Sequence, residues 1–104
     1  MKKLNKMVMK VNNKLYEFLS YLGLEDEQIN FLFTNFTGLL CRDFDTIVKC
    51  VATVTAYGFP KSEIPELIML NPNFLLNNPQ TIAKNLSLIK NDIEYTLLTN
   101  PYII

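Results

Sequence analysis

Ten carboxylates, ten cationic side chains and two thiols are the reactive inventory of this 104-residue chain, and histidine is absent. Without imidazole there is no base of the kind that usually activates a Ser or Cys nucleophile, and most zinc-ligand sets are removed as well. Two carboxylate pairs stand close enough for acid–base work, Asp43 with Asp45 and Glu63 with Glu66. The first opens an expected helix and the second has helical i, i+3 spacing, so capping and solvation account for both. Three glycines make no phosphate-binding loop. Cys41 and Cys50 have neither metal nor redox spacing and read as reduced thiols. The expectation is a non-enzymatic chain with no catalytic residue, no metal and no cofactor.

Formal net charge is zero but unevenly spread. Lys2, Lys3, Lys6, Lys10 and Lys14 form an acid-free N-terminal segment, whereas the remainder carries five basic residues against ten acidic ones. Phosphate neutralisation by Lys and Arg dominates nucleic-acid affinity. Any such contact is therefore expected at Lys3, Lys6, Lys10 and Lys14, with Arg42 as an outlier in the body. A solvated helix face and pairing with an acidic partner are the competing readings of the lysines. Tyrosine suits protein interfaces, which makes Tyr21, Tyr95 and Tyr102, with the C-terminal Ile104, the candidate partner-binding patch. The other aromatics, Tyr16, Phe31, Phe36, Tyr57, Phe59 and Phe74 among them, read mostly as core.

These residues need elements to hold them. Leu4, Val8, Val11, Leu15, Phe18 and Leu22 recur at spacings of three and four, one stripe of a helix that Gly23 ends. Glu25, Asp26 and Glu27 open a second helix whose apolar members are Ile29, Leu32, Phe33 and Phe36. Asp43 is the expected N-cap of a third, with Phe44, Ile47, Val48, Val51 and Val54 inward and Gly58 beyond its end; its β-branched residues leave a strand open. Ser62 is placed to cap a fourth helix with Pro65 in its first turn, burying Ile64, Leu67, Ile68 and Leu70 until Pro72 stops it. Phe74, Leu75 and Leu76 fall in the following turn as plugs. Asn78-Pro79 starts another helix through Ile82, Leu86 and Ile89, and Asn91 or Asp92 starts the last, with Ile93, Leu97 and Leu98. The chain closes on the apolar Tyr102-Ile103-Ile104, which must fold back or lie at an interface.

Several pieces recur. Leu22-Gly23-Leu24 aligns with Tyr57-Gly58-Phe59 at an offset of 35, Asn35 and Leu39-Leu40 with Asn71 and Leu75-Leu76 at 36, and Asn100-Pro101 with Asn71-Pro72 at 29. Self-similarity at such a period is the mark of stacked helical units. Gly-hydrophobic, a few polar residues, Ile, a short apolar helix, Asn-Pro and a Leu pair resembles the mitochondrial transcription termination factor family. The likeness is fullest over 57–90, partial over 22–50 and truncated over 93–104. Phe36 stands where the first unit should carry its proline, and the third unit lacks the Gly-hydrophobic opening. The resemblance implies about two and a half helical repeats and a regulatory role on nucleic acid or its machinery. An adaptor or inhibitor that binds protein through the acidic body and the exposed apolar and Tyr surface, self-associating at its apolar C-terminus, is the alternative.

The chain is expected to be a single all-α domain over 1–104, a right-handed, solenoid-like stack of five or six helices. At 49% apolar and 19% charged it is globular rather than disordered. No run of roughly 18 apolar residues exists to cross a membrane. An intracellular, cytoplasmic protein is expected, with a mitochondrial destination left open by the acid-free N-terminus.

Overall fold

The computed structural model describes residues 13–104, and within them every regular element is helical: seven α-helices and three 3-10 turns, with no strand. Helix α1 spans Asn13–Leu22 and buries Leu15, Leu19 and Leu22 along one stripe. Gly23 ends it at φ +113°, a left-handed conformation that side chains resist, and Leu24 N–H donates back to the Leu19 carbonyl at 3.1 Å. Helix α2 covers Asp26–Asn35, its start held by the Glu25 N–H donating to Gln28 Oε1 at 2.9 Å. One turn, α3 at Gly38–Cys41, leads to α4 at Phe44–Ala56. Asp43 caps α4, its Oδ2 accepting from both the Thr46 N–H and hydroxyl. The β-branched run is therefore helix, with Ile47, Cys50, Val51 and Val54 buried. Tertiary burial of that face outweighs the few tenths of a kcal/mol per residue that β-branching costs.

The second half repeats much of this grammar. Gly58 ends α4 at φ +100°, as Gly23 ends α1. A 3-10 turn at Lys61–Glu63 runs into α5 at Ile64–Leu70, and a second at Pro72–Leu76 runs towards α6 at Pro79–Ser87. Asn78 caps α6 through the Gln80 N–H, and Asp92 caps α7, Ile93–Thr99, through the Tyr95 N–H. A last 3-10 turn covers Pro101–Ile103. Three helix ends share one conformation: Phe36, Asn71 and Asn100 lie at φ −128°, −148° and −142° with ψ 62°, 75° and 70°. Each donates its N–H to the carbonyl four residues earlier.

One continuous core unites Leu19, Ile29, Leu32, Leu39, Ile47, Val54, Phe59, Ile64, Leu67, Phe74, Leu75, Ile82 and Leu97. Helix α4 lies along α6 in the most extensive helix–helix contact, and α5 meets both α1 and α7. The three-residue turn and α5 begin without a side-chain cap, so Ser62 is not the N-cap expected of it. Leu70 is exposed, because the helix ends there and its last residue points away from the core. The 36-residue register also shifts. Phe36, and not Asn35, occupies the position of Asn71, so Thr37 stands where Pro72 does and Leu39 matches the fully buried Phe74. Asn35 instead donates within its own helix to the Phe31 carbonyl.

Replacing Gly23 tests this local geometry. A Cβ there would sit 3.2 Å from Pro65 Cγ on a backbone at φ +113°. Gly23→Ala is expected to lower stability by about 1–2 kcal/mol, a fall in Tm of roughly 5–10 °C by thermal circular dichroism. An unchanged Tm would mean that the α1–α2 turn does not hold this conformation.

Candidate functional site

Helices α1 and α4 run past each other without closing. Phe18 meets Phe44 edge-to-face at a centroid separation of 5.8 Å, and beyond that pair the walls part. Phe18, Tyr21 and Leu22 line one side and Val48, Val51, Ala52 and Thr55 the other, around an open groove of about 240 Å³ with Lys61 at its rim. The spacings i, i+3, i+4 on α1 and i, i+3, i+4, i+7 on α4 place each set on one helical face. Helix α4 thus has two apolar faces, one committed to the core through Ile47, Cys50 and Val54, the other floored by small side chains in the groove.

Tyr21 is 69% exposed. Its hydroxyl accepts a hydrogen bond from Lys61 Nζ, which also lies 4.1 Å from the ring centroid. That hydrogen bond, and the ammonium charge behind it, hold the Tyr21 phenol below its ordinary pKa. Tyr16, on the same helix, goes the other way: it donates to Asp26 Oδ1, and the carboxylate holds its proton on.

A second concavity, about 430 Å³, opens at the far end between the turns at Pro72–Leu76 and Pro101–Ile103, lined by Asn71, Asn73, Leu76, Asn77, Tyr102 and Ile104. Here three side-chain amides reach across. Asn71 Nδ2 donates to the Pro101 carbonyl at 2.8 Å, Asn77 Nδ2 to the Ile104 carbonyl at 2.7 Å and Asn85 Nδ2 to the Ile103 carbonyl at 3.0 Å.

Of the residues singled out from sequence, Tyr21, Tyr95 and Tyr102 are well exposed, at 69, 68 and 74%. Only Tyr21 and Tyr102 border a concavity, and they stand at different ones. Ile104 is 6% exposed: it folds back into the core, with its carbonyl paired to Asn77, and also lines the second concavity. Burying an isoleucine is worth about 1.5–3 kcal/mol, so Ile104 helps hold the turn at Pro101–Ile103 to the core, while Tyr102 stays exposed. Arg42 is half-buried, its Nη1 donating to the Leu75 carbonyl at 3.0 Å. Lys14 is exposed on α1, while Lys3, Lys6 and Lys10 lie outside the described residues. Of the aromatics expected to be mostly core, Phe59 and Phe74 are buried, Tyr16 and Phe36 are partly buried, and Phe31 and Tyr57 are exposed. No sequence signal marks the groove: the spacing places Val48 inward with Val51, and Ala52 and Thr55 carry nothing that distinguishes a floor. Asp43 is a cap, Asp45 and Glu66 lie in first helical turns and Glu63 ends a 3-10 turn. Among the described residues no group of three or more Cys, Asp or Glu is placed to hold a metal ion, and no helix is long and apolar enough to cross a membrane.

Cys41 is exposed and Cys50 buried. Cys50 Sγ faces the Asn77 carbonyl at 3.3 Å, and burial pushes its thiol pKa up. In the native protein at mildly alkaline pH, a thiol reagent is expected to label Cys41 quickly and Cys50 only after denaturation; two equally fast thiols would contradict this packing. Tyrosinate absorbance on raising pH should show one tyrosine ionising early, because the Lys61 ammonium stabilises the charged phenolate. Lys61→Gln should remove that early component, and a titration curve unchanged by the substitution would break the Tyr21–Lys61 assignment. No family model, no curated protein and no solved structure matches this chain.

Proposed function

We propose that this chain is a non-catalytic binding module that accepts apolar side chains of a protein partner in the groove between α1 and α4. The observation that carries the reading is the contrast between two successive helix pairs. Helix α4 packs along α6, while α1 and α4 leave about 240 Å³ walled by Phe18, Val48, Val51 and Ala52 and flanked by an exposed tyrosine. Apolar anchors entering such a pocket, ringed by Tyr and a cation, are how few residues supply most of an interface's energy. Lys61 at the rim favours a partner carboxylate beside the anchor. The recurring 35-residue spacing, with its matching glycines and caps, supports reading the chain as stacked helical units of the termination-factor-like kind. On that reading the partner belongs to the machinery that handles nucleic acid. Direct phosphate contact has less support, since Arg42 is engaged with the Leu75 carbonyl and residues 15–104 are net acidic.

Panning a random peptide library against the wild-type protein and against Ala52→Arg tests the reading. Ala52 is exposed at the floor, so the substitution fills the groove without entering the core. Peptides with an apolar anchor next to an acid should be enriched on wild type and lose binding to the variant, by about tenfold or more, equivalent to 1.4 kcal/mol. No enrichment, or binding indifferent to Ala52→Arg alongside salt-sensitive capture of mixed oligonucleotides, would overturn it in favour of nucleic acid.

A further inference from the structure

Lys61 is the one charged residue among those lining the α1–α4 groove, so the groove asks for an exposed apolar side chain with a carboxylate beside it. This chain carries such a side chain on its own surface. Of the seven large apolar side chains exposed among the described residues, only Tyr95 has a carboxylate within three positions, and it has two, Asp92 and Glu94. Asp92 caps α7 by accepting from the Tyr95 N–H at 3.2 Å, which fixes that carboxylate in the turn from which the ring projects. The charge of the chain is segregated to match. Residues 1–14 carry five lysines and no acid, whereas residues 91–104 carry two acids and no base. Within one chain the Tyr95 ring stays 68% exposed and the groove open, with α5 packed against both α1 and α7. Ring and groove can therefore meet only between two copies.

We propose that the α1–α4 groove of one copy receives Tyr95 of a second copy, with Lys61 facing Asp92 and Glu94 across the rim. The proposal rests on reading the groove as a site for apolar anchors. A tyrosine suits it, because the ring brings a large apolar area and the hydroxyl stays at a wet edge. Giving and receiving surfaces differ, so the contact is heterologous. A copy that has given its Tyr95 still has a groove to fill, and association runs on into chains or rings rather than stopping at a two-fold dimer. One aromatic anchor and a rim of charges make a small interface, so the contact is weak and sensitive to concentration and salt. It also regulates the groove, since a partner's anchor and a second copy's Tyr95 compete for the same space.

Sedimentation equilibrium of the full chain up to about 1 mM, for wild type, Tyr95→Ala and Ala52→Arg, tests the proposal. Both substituted residues are exposed, so neither change enters the core. The average mass of the wild type should rise with concentration past that of a dimer, and each variant alone should associate at least about tenfold more weakly. Mixing the two variants should restore a 1:1 complex and nothing larger, because one keeps the groove and the other keeps Tyr95. A monomeric wild type, a Tyr95→Ala protein that associates as wild type does, or variants that ignore each other when mixed would overturn the proposal. A wild type that stays monomeric yet binds anchor peptides in a manner sensitive to Ala52→Arg would sink self-association and leave the groove reading standing. Self-association and peptide binding both indifferent to Ala52→Arg would sink the two together.

Discussion

Short turns inserted between helices leave backbone carbonyls facing the protein, and the rest of the structure depends on how these are satisfied. The turns at Pro72–Leu76 and Pro101–Ile103 are served by side chains that precede them in the chain. Arg42 and Cys50 point at the Leu75 and Asn77 carbonyls, and Asn71, Asn77 and Asn85 at Pro101, Ile104 and Ile103. The consequence is visible in the side chains, since no buried side-chain nitrogen or oxygen is left without a partner among the described residues. A single such bond contributes about 1 kcal/mol, and an orphaned buried group costs more than that. The crossing bonds also set register. A turn that slid by one residue would present the wrong carbonyl to every donor at once, so polar pairing adds directional specificity to an apolar core that would tolerate sliding.

Hydrophobic periodicity made the helices legible because each helix buries one stripe. Leu15 and Leu22, then Ile29, Leu32 and Phe33, then Ile64, Leu67 and Ile68 lie where the spacing put them, while in the first helix Leu19 takes the fully buried place expected of Phe18, which is only partly buried. Caps with a local signature were equally readable: Asp43, Asn78-Pro79 and the two left-handed glycines are all as expected. What misled was chemical likeness without geometry. Asn35 and Asn71 share a side chain, yet backbone angles pair Asn71 with Phe36, whose N–H makes the same helix-closing bond while its ring makes none of the amide contacts. Ser62 has the right type for a cap but sits inside a three-residue turn, and Leu70 has the right type for core but ends its helix. Exposed Phe31 and Tyr57 show the limit of residue type as a guide, since apolar residues at helix edges are common on protein surfaces.

The candidate sites were less legible than the fold for a physical reason. A groove depends on what two distant segments fail to fill, and volume that is absent leaves no motif. Tyr21 and Tyr102 could be proposed from their type alone, but their surroundings could not: Lys61 approaches from 40 positions away, and Asn71 from 31. Both concavities are bounded by residues far apart in sequence, Phe18 to Lys61 in one and Asn71 to Ile104 in the other. Close packing requires the space between neighbouring helices and turns to be occupied by something. Where the chain does not supply the occupant, that space keeps its donors, acceptors and apolar walls in place. The shape of the second concavity is fixed from within, because the bonds at its wall, Asn71 to Pro101 and Asn77 to Ile104, are the same bonds that hold the turns together.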